Sequence, residues 1–222
     1  MTLRLIGLCG NKRAGKDTAA DHLVRHHGFT RLAFADALRA EVAEAFQVSV
    51  VTLLEPGLKE LPLNHLALTC CTDHRFLDWW LSTPEAGAER SLNGRTFRQH
   101  AVPRSPRWMT QRWGDWRRDS DPFYWLDRVA AALSSTATPA VVADVRANPA
   151  PHDWCEPEFI RRLGGQVWAV RRNPTGSTDS HVTERPIPAQ HLDHTLHNLG
   201  SIAELHRTID QYLDLLIERS PA

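Results

Sequence analysis

Lysine is nearly missing from this 222-residue chain: it stands only at Lys12, Lys16 and Lys59, and arginine supplies the rest of the positive charge. Arginine and lysine are not interchangeable, so two lysines four residues apart in an arginine-biased sequence point to chemistry that needs a compact ammonium. Net charge is also missing, with 26 basic and 26 acidic residues. That excludes the broad positive footprint of a protein whose main task is gripping nucleic acid, and direct nucleic-acid binding is not expected. No apolar run is long enough to span a bilayer. The run Leu3–Cys9 is too short for a secretory signal and leads straight into a glycine-bearing turn. The four cysteines, Cys9, Cys70, Cys71 and Cys155, lack any framework spacing. A reducing cytoplasm is therefore the expected compartment. Internal repeats and low-complexity tracts are lacking too.

What is present alternates strand with helix. Leu3–Cys9 reads as a buried strand, and a helix is expected from about Lys16 to His26 with Gly28 as its stop. "FTRLAF" is a candidate second strand and "ADALRAEVAEAF" the next helix. "RWMTQRWGDWRR" and "DPFYWLDRVAAAL" have helical period; "AVVADVR" and "QVWAVRR" read as strands around the helix "EPEFIRRLGG". A short run at Asp193–Asn198 precedes a closing helix, for which Ser201 and Glu204 form a capping-box pattern. This order predicts an α/β fold, a P-loop NTPase-type three-layer sandwich with a mainly parallel sheet. One domain over 1–222 is expected, with a packed, Pro-broken insertion at about 48–106.

The first turn carries the strongest signal. "GNKRAGKDT", Gly10 to Thr18, has the spacing G-x-x-x-x-G-K between a strand and a helix start, the context in which backbone N–H groups and a helix N-terminus cradle phosphates. Gly10, Asn11, Lys12, Arg13, Ala14, Gly15, Lys16, Asp17 and Thr18 are the expected ATP-binding residues, with Lys16 bridging the β- and γ-phosphates. A Ser or Thr should follow the lysine, yet Asp17 stands there and Thr18 one place later. A carboxylate beside polyphosphate is repelled unless Mg2+ lies between, so Asp17 is expected to hold Mg2+; a role as general base for an acceptor is the other reading.

Beyond the loop, the chain resembles the phage deoxynucleoside monophosphate kinases, a P-loop family related to phosphomevalonate kinases. "GNKRAGKDT" is similar to their G-x-K-R-x-G-K-D-T loop, "AFADALR" to A-F-A-x-x-L-K, and "RWMTQRWGDWRR" to R-x-L-L-Q-x-x-G-T-E-x-x-R. "VVADVRANP" resembles D-V-R-F-x-N-E, "DSHVTE" resembles H-x-S-E, and "HNLGSIAEL" resembles N-x-G-T-x-E-E-L. Arg39 stands for the usual lysine, Asp115-Trp116 for Thr-Glu, and Ala147 and Pro149 for Phe and Glu. These departures leave base preference open.

The resemblance implies transfer of the ATP γ-phosphoryl to a deoxynucleoside monophosphate. Arg13 and Arg146 join Lys16 as the catalytic cations, and Asp144, at a strand end, joins Asp17 on Mg2+. Arg39, Arg107, Gln111, Trp116, Arg118, Arg146, Arg171, His181 and Glu184 are the acceptor-binding candidates, Gln111 and Trp116 for the base. Of Trp108, Trp113 and Trp116, two are expected in the core. The partners implied are small nucleotides in a host cytoplasm, with Trp79 and Trp80 as a possible homodimer surface. A hydroxyl acceptor such as a modified base in DNA, another small phosphate, and a non-catalytic nucleotide binder stay open. "HLALTCCTDH" offers His65, Cys70, Cys71 and His74 without zinc spacing; these cysteines are expected as buried small hydrophobes.

Overall fold

The computed structural model describes residues 3–86, 100–148, 150–172 and 185–218. They form two compact units: Met1–Phe34 with Leu126–Ala222, and Ala35–Trp125. The second unit is thus wider than the insertion expected at 48–106, because the helices on both sides of that stretch pack within it.

The first unit is built on five parallel strands: β1 (Leu5–Cys9), β2 (Thr30–Leu32), β3 (Ala140–Val142), β4 (Gln166–Arg171) and β5 (His194–His197). Their order is β2-β3-β1-β4-β5. The buried, branched run of β1 lies at the centre, with Ile6 opposite Val141 on one side and Gln166 on the other. Such strands read as continuous apolar runs because helices cover both faces. On one face Ile6, Leu8 and Trp168 pack against Ala19, Ala20 and Leu23 of α1 (Lys16–His27) and Leu205, Ile209 and Leu213 of α8 (Ile202–Glu218). On the other, Gly7 lies so close to Ile160 of α7 (Cys155–Arg162) that an added Cβ would sit 3.0 Å from its side chain.

The helix ends follow local chemistry. Gly28 ends α1 in the left-handed region at φ 69°, where a Cβ would be strained. The capping box of α8 is formed: Ser201 N–H donates to Glu204 Oε2 at 2.6 Å, and Glu204 N–H returns to Ser201 Oγ at 3.3 Å. "FTRLAF" is shorter as a strand than its composition suggests. Its Phe34 already opens α2 (Phe34–Ala45), because Asp144 Oδ1 accepts the Phe34 N–H at 2.7 Å.

The second unit holds the remainder of α2, then α3 (Val50–Leu54), α4 (His74–Ser82) and α5 (Pro106–Ser120); α6 (Tyr124–Ser134) begins at its end. Ser105 Oγ accepts from Trp108 N–H and Pro106 takes the first helical turn of α5, as N-terminal helix chemistry favours. Met109, Trp113 and Trp116 form an i, i+4, i+7 stripe that buries against Phe76. Glu41 lies over this core, accepting from Trp113 Nε1 at 2.9 Å, Arg117 Nε at 2.8 Å and the Tyr124 hydroxyl at 2.5 Å.

Candidate phosphate-binding site

The loop from Gly10 to Gly15 leaves the carboxyl end of the central strand and turns into α1. Gly10 has φ 140° and a Cβ there would lie 2.2 Å from the Val170 carbonyl of β4, so only glycine fits. Gly15 has φ 106°, and a Cβ there would lie 2.5 Å from Asn198 Nδ2. Arg13 is held at φ 64°, a conformation uncommon for a side-chain-bearing residue and frequent where a site imposes it. The turn is closed by Ala14 N–H donating to Asn11 O at 3.1 Å. Asn198 then pins it from the end of β5: its buried amide donates to Ala14 O at 2.9 Å.

No side chain caps α1 at Gly15, so the first amides of that helix and the positive end of its dipole face the loop. Lys16 arches back over it, Nζ donating to Gly10 O at 2.6 Å and to Asn11 O at 3.0 Å. Amides, dipole and ammonium converge on one concave turn, a donor set that suits a polyphosphate chain. Lys12 and Arg13 are exposed on its rim, and Thr18 is half-buried in the first turn of α1. Cys9 forms the floor: burial pushes its thiol up to about 11, although the Lys16 and Arg171 cations draw it the other way. It stays a neutral thiol. Arg171 ends β4 at the same carboxyl edge of the sheet.

Asp144 and Arg146 follow β3 beside the same loop, because Val145 N–H still pairs with Leu8 O at 3.0 Å. Asp144 is half-buried at the strand's carboxyl end, the position at which α/β sheets bind ligands. Arg146 is fixed through its backbone by Glu156, a buried carboxylate of α7 accepting its N–H at 2.8 Å. Asp17 has a partner that its motif did not suggest. Its Oδ1 accepts from Arg31 Nη2 at 2.5 Å, and the same guanidinium holds Asp21 at 2.8 Å. Burial alone would lower Arg31, but the bonds from Asp17 and Asp21 carry it above its ordinary value.

Five further candidates, Arg39, Arg107, Gln111, Trp116 and Arg118, belong to the second unit. Arg39 pairs with Asp36 at 3.1 Å, Arg107 with Glu60 at 2.7 Å, and Arg118 approaches Asp115 at 3.7 Å. Gln111 is half-buried on α5. Trp116 is a correction: expected as the base-stacking ring, it is buried edge-to-face on Trp113 and covered by the Arg117 guanidinium at 4.1 Å. The two core tryptophans of the trio are Trp113 and Trp116; Trp108 falls off the buried stripe and lies half-exposed under Arg104. Trp80 is buried as well, and the half-buried Trp79 donates to Asp119 at 3.0 Å. Cys71 is buried and pushed up to about 11 by that burial, whereas Cys70, expected buried, is exposed. An open concavity of about 530 Å³ within this unit is lined by Glu41, Glu44, Thr72, His74, Trp113 and Arg117. His181 and Glu184 lie outside the described residues.

Two contributors escaped sequence reasoning. Asn198 and Glu156 act through single hydrogen bonds to backbone, and a lone Asn or Glu has no local signature; only the likeness of "HNLGSIAEL" to a family closing segment hinted at the first. Arg185 is a third case: it donates to Asn148 O at 3.1 Å, reaches Asp153 at 3.4 Å and lies over Trp154 at 5.1 Å.

Residues 118–209 match the family model described as deoxynucleotide monophosphate kinase. A protein of Acanthamoeba polyphaga mimivirus, provisionally named a deoxynucleotide monophosphate kinase, is 26% identical over 220 residues, 95% of this chain and 96% of its own. The deoxynucleotide monophosphate kinase of Escherichia phage RB69 is 40% identical over 58 residues, 26% of this chain and 24% of its own. A solved structure, TT1252 from Thermus thermophilus, aligns over 100% of both chains at 20% identity and a TM-score of 0.43, a distant likeness. The sequence matches support the phage-type deoxynucleoside monophosphate kinase resemblance and a phosphotransferase role. No described helix is long and apolar enough to cross a membrane.

Proposed function

We propose that this chain transfers the γ-phosphoryl of ATP to a deoxynucleoside 5′-monophosphate, forming the diphosphate and ADP. The observation that carries the reading is the Lys16 cradle at the carboxyl end of β1, with Asp144 and Arg146 on the adjoining strand end. A nucleotide binder without chemistry has no need of all three.

An oxygen of the acceptor phosphate attacks the γ-phosphorus while the bond to the β–γ bridging oxygen breaks, and ADP leaves. The acceptor is already an oxyanion, so no side chain has to take a proton from it. The work left to the protein is alignment and charge neutralisation. Loop amides hold the β-phosphate, Lys16 swings from the Gly10 and Asn11 carbonyls onto β- and γ-oxygens, and Arg13 and Arg146 meet the charge that builds between donor and acceptor. Asp144 would hold Mg2+, directly or through water; Asp17 would join it only by releasing Arg31. The ion neutralises phosphate charge and orients the β- and γ-phosphates when bound. Arg171, at the carboxyl end of β4, remains a phosphate-contact proposal on its charge and position. Arg39, Arg107, Gln111 and Arg118 remain acceptor-binding proposals on their chemistry alone. Asp17 would have to release Arg31 to serve as a general base for a hydroxyl acceptor.

The test is ADP release with ATP and magnesium against ribo- and deoxynucleoside monophosphates bearing common and modified bases. Turnover with one or a few deoxynucleotides is expected. Silence across the panel by a protein that still binds ATP would overturn the acceptor assignment.

A further inference from the structure

Away from the loop, α1 and α8 bring together a cluster that phosphoryl transfer does not use. His22 and His27 lie on either side of the buried Leu23, and Asp210 of α8 reaches between them. His22 Nε2 is 2.6 Å from Asp210 Oδ1, and His27 Nε2 is 2.7 Å from the same oxygen. The three ligating atoms lie within 4.8 Å of one another. The side chains grade from inside to outside, 5% exposed for His22, 26% for His27 and 44% for Asp210, so the cluster has a fixed inner wall and an open outer edge. His206 stacks on His22 at 4.0 Å, and His26 tilts against it at 4.7 Å.

We infer that His22, His27 and Asp210 form a binding site for a borderline divalent metal ion, Zn2+ being the best match, with water completing the coordination. Two imidazoles and one carboxylate are the donor set that such ions prefer over magnesium, which favours all-oxygen ligands. Zinc–ligand bonds of roughly 2.0–2.2 Å need the ligand atoms about 3.3 Å apart, slightly wider than the present hydrogen bonds. Asp210, the most exposed of the three, can withdraw by that amount while the buried His22 stays. Ligation through Nε2 moves each ring proton to Nδ1. For His22 this sacrifices no bond among the described residues, where its buried Nδ1 has no hydrogen-bond partner. Metal ligation also requires neutral imidazoles.

The site would clamp α1 to α8. Roughly 9–16 Å of helix rise separates its two histidines from Lys16 at the start of α1, so it is distinct from the phosphate cradle. A metal there would hold the helix that carries the loop without touching the nucleotide.

The experiment is titration of Co2+ into the untagged full chain, with magnesium in excess to occupy oxygen-only sites. The d–d absorption of a tetrahedral ion is followed, then its displacement by Zn2+. One equivalent is expected to give the band. His27→Ala and Asp210→Asn, both at the accessible edge of the cluster, are expected to weaken binding about 100-fold or more, since even outer-shell losses cost 10–100-fold. His27→Cys, which preserves three ligands, is expected to restore binding with an added sulfur-to-cobalt charge-transfer band. Absence of a tetrahedral band in the parent chain would overturn the site, as would a band that survives both His27→Ala and Asp210→Asn. Because the readout is metal binding, it stands or falls separately from the proposed kinase activity.

Discussion

Lys16 illustrates how much a single side chain can carry without supporting the fold. Its ammonium rests on two loop carbonyls rather than in the core, so Lys16→Ala removes a cation while opening no cavity. Turnover is expected to fall by at least about 10²–10³-fold, the scale for losing one pre-aimed electrostatic contact. Stability should stay within about 0.5 kcal/mol. Near-normal turnover would remove the loop from the mechanism. Asp17 is the more discriminating position. Paired with Arg31 and 81% exposed, it makes a surface ion pair worth under about 1 kcal/mol. Asp17→Asn and Arg31→Met are therefore expected to lower turnover alike and modestly, with the magnesium concentration for half-activity unchanged. A shift in magnesium requirement confined to Asp17→Asn would return this carboxylate to the metal.

At the scale of elements, the loop is only as well placed as the strands around it. Asn198 connects β5 to the loop through the Ala14 carbonyl. Asn198→Ala would leave that buried acceptor unsatisfied, costing about 1–3 kcal/mol, and would let the turn relax. A lower thermal midpoint together with a raised KM for ATP is expected. Loss of stability with an unchanged KM would show that the bond supports the sheet and not the cradle. In the second unit the corresponding linchpin is Glu41. Glu41→Ala strands the Trp113, Arg117 and Tyr124 donors, and a loss of about 2–3 kcal/mol is expected from denaturant midpoints. Tyr124→Phe, which removes one donor and keeps the ring, should cost clearly less. The helices, strands and caps behind these arguments were legible in sequence because their signals are local. Apolar spacing marked α5, Gly28 marked the end of α1, and Ser201 with Glu204 marked the start of α8. The role of Trp116 was not legible, since a ring on a helix face reads the same whether a base or a tryptophan covers it.

For the molecule as a whole, stability is expected to depend on acid. His206 is held below its ordinary value by burial and by the His22 and His26 charges, with Asp210 opposing; His194 is held down by burial and by His197. His194 also stacks on Tyr212 at 3.5 Å. Each therefore binds fewer protons folded than unfolded, so stability is full above about pH 6.5 and declines as pH falls below it. Denaturant midpoints at about pH 7.5 and about pH 5.5, in chelated buffer, should show this decline, and His194→Gln with His206→Gln should flatten it. A midpoint that rises on acidification would contradict the argument. By itself the sequence determined the α/β alternation, the glycine loop with its lysine, and the likeness to deoxynucleoside monophosphate kinases, because each is written in contiguous residues. Tertiary structure alone decided that Asp17 meets Arg31, that Asn198 and Glu156 hold backbone at the loop and at Arg146, and that His22, His27 and Asp210 converge. Those partners are 14, 184, 10 and up to 188 residues apart, and only the parallel sheet and the packing of α1 on α8 bring them into hydrogen-bond range.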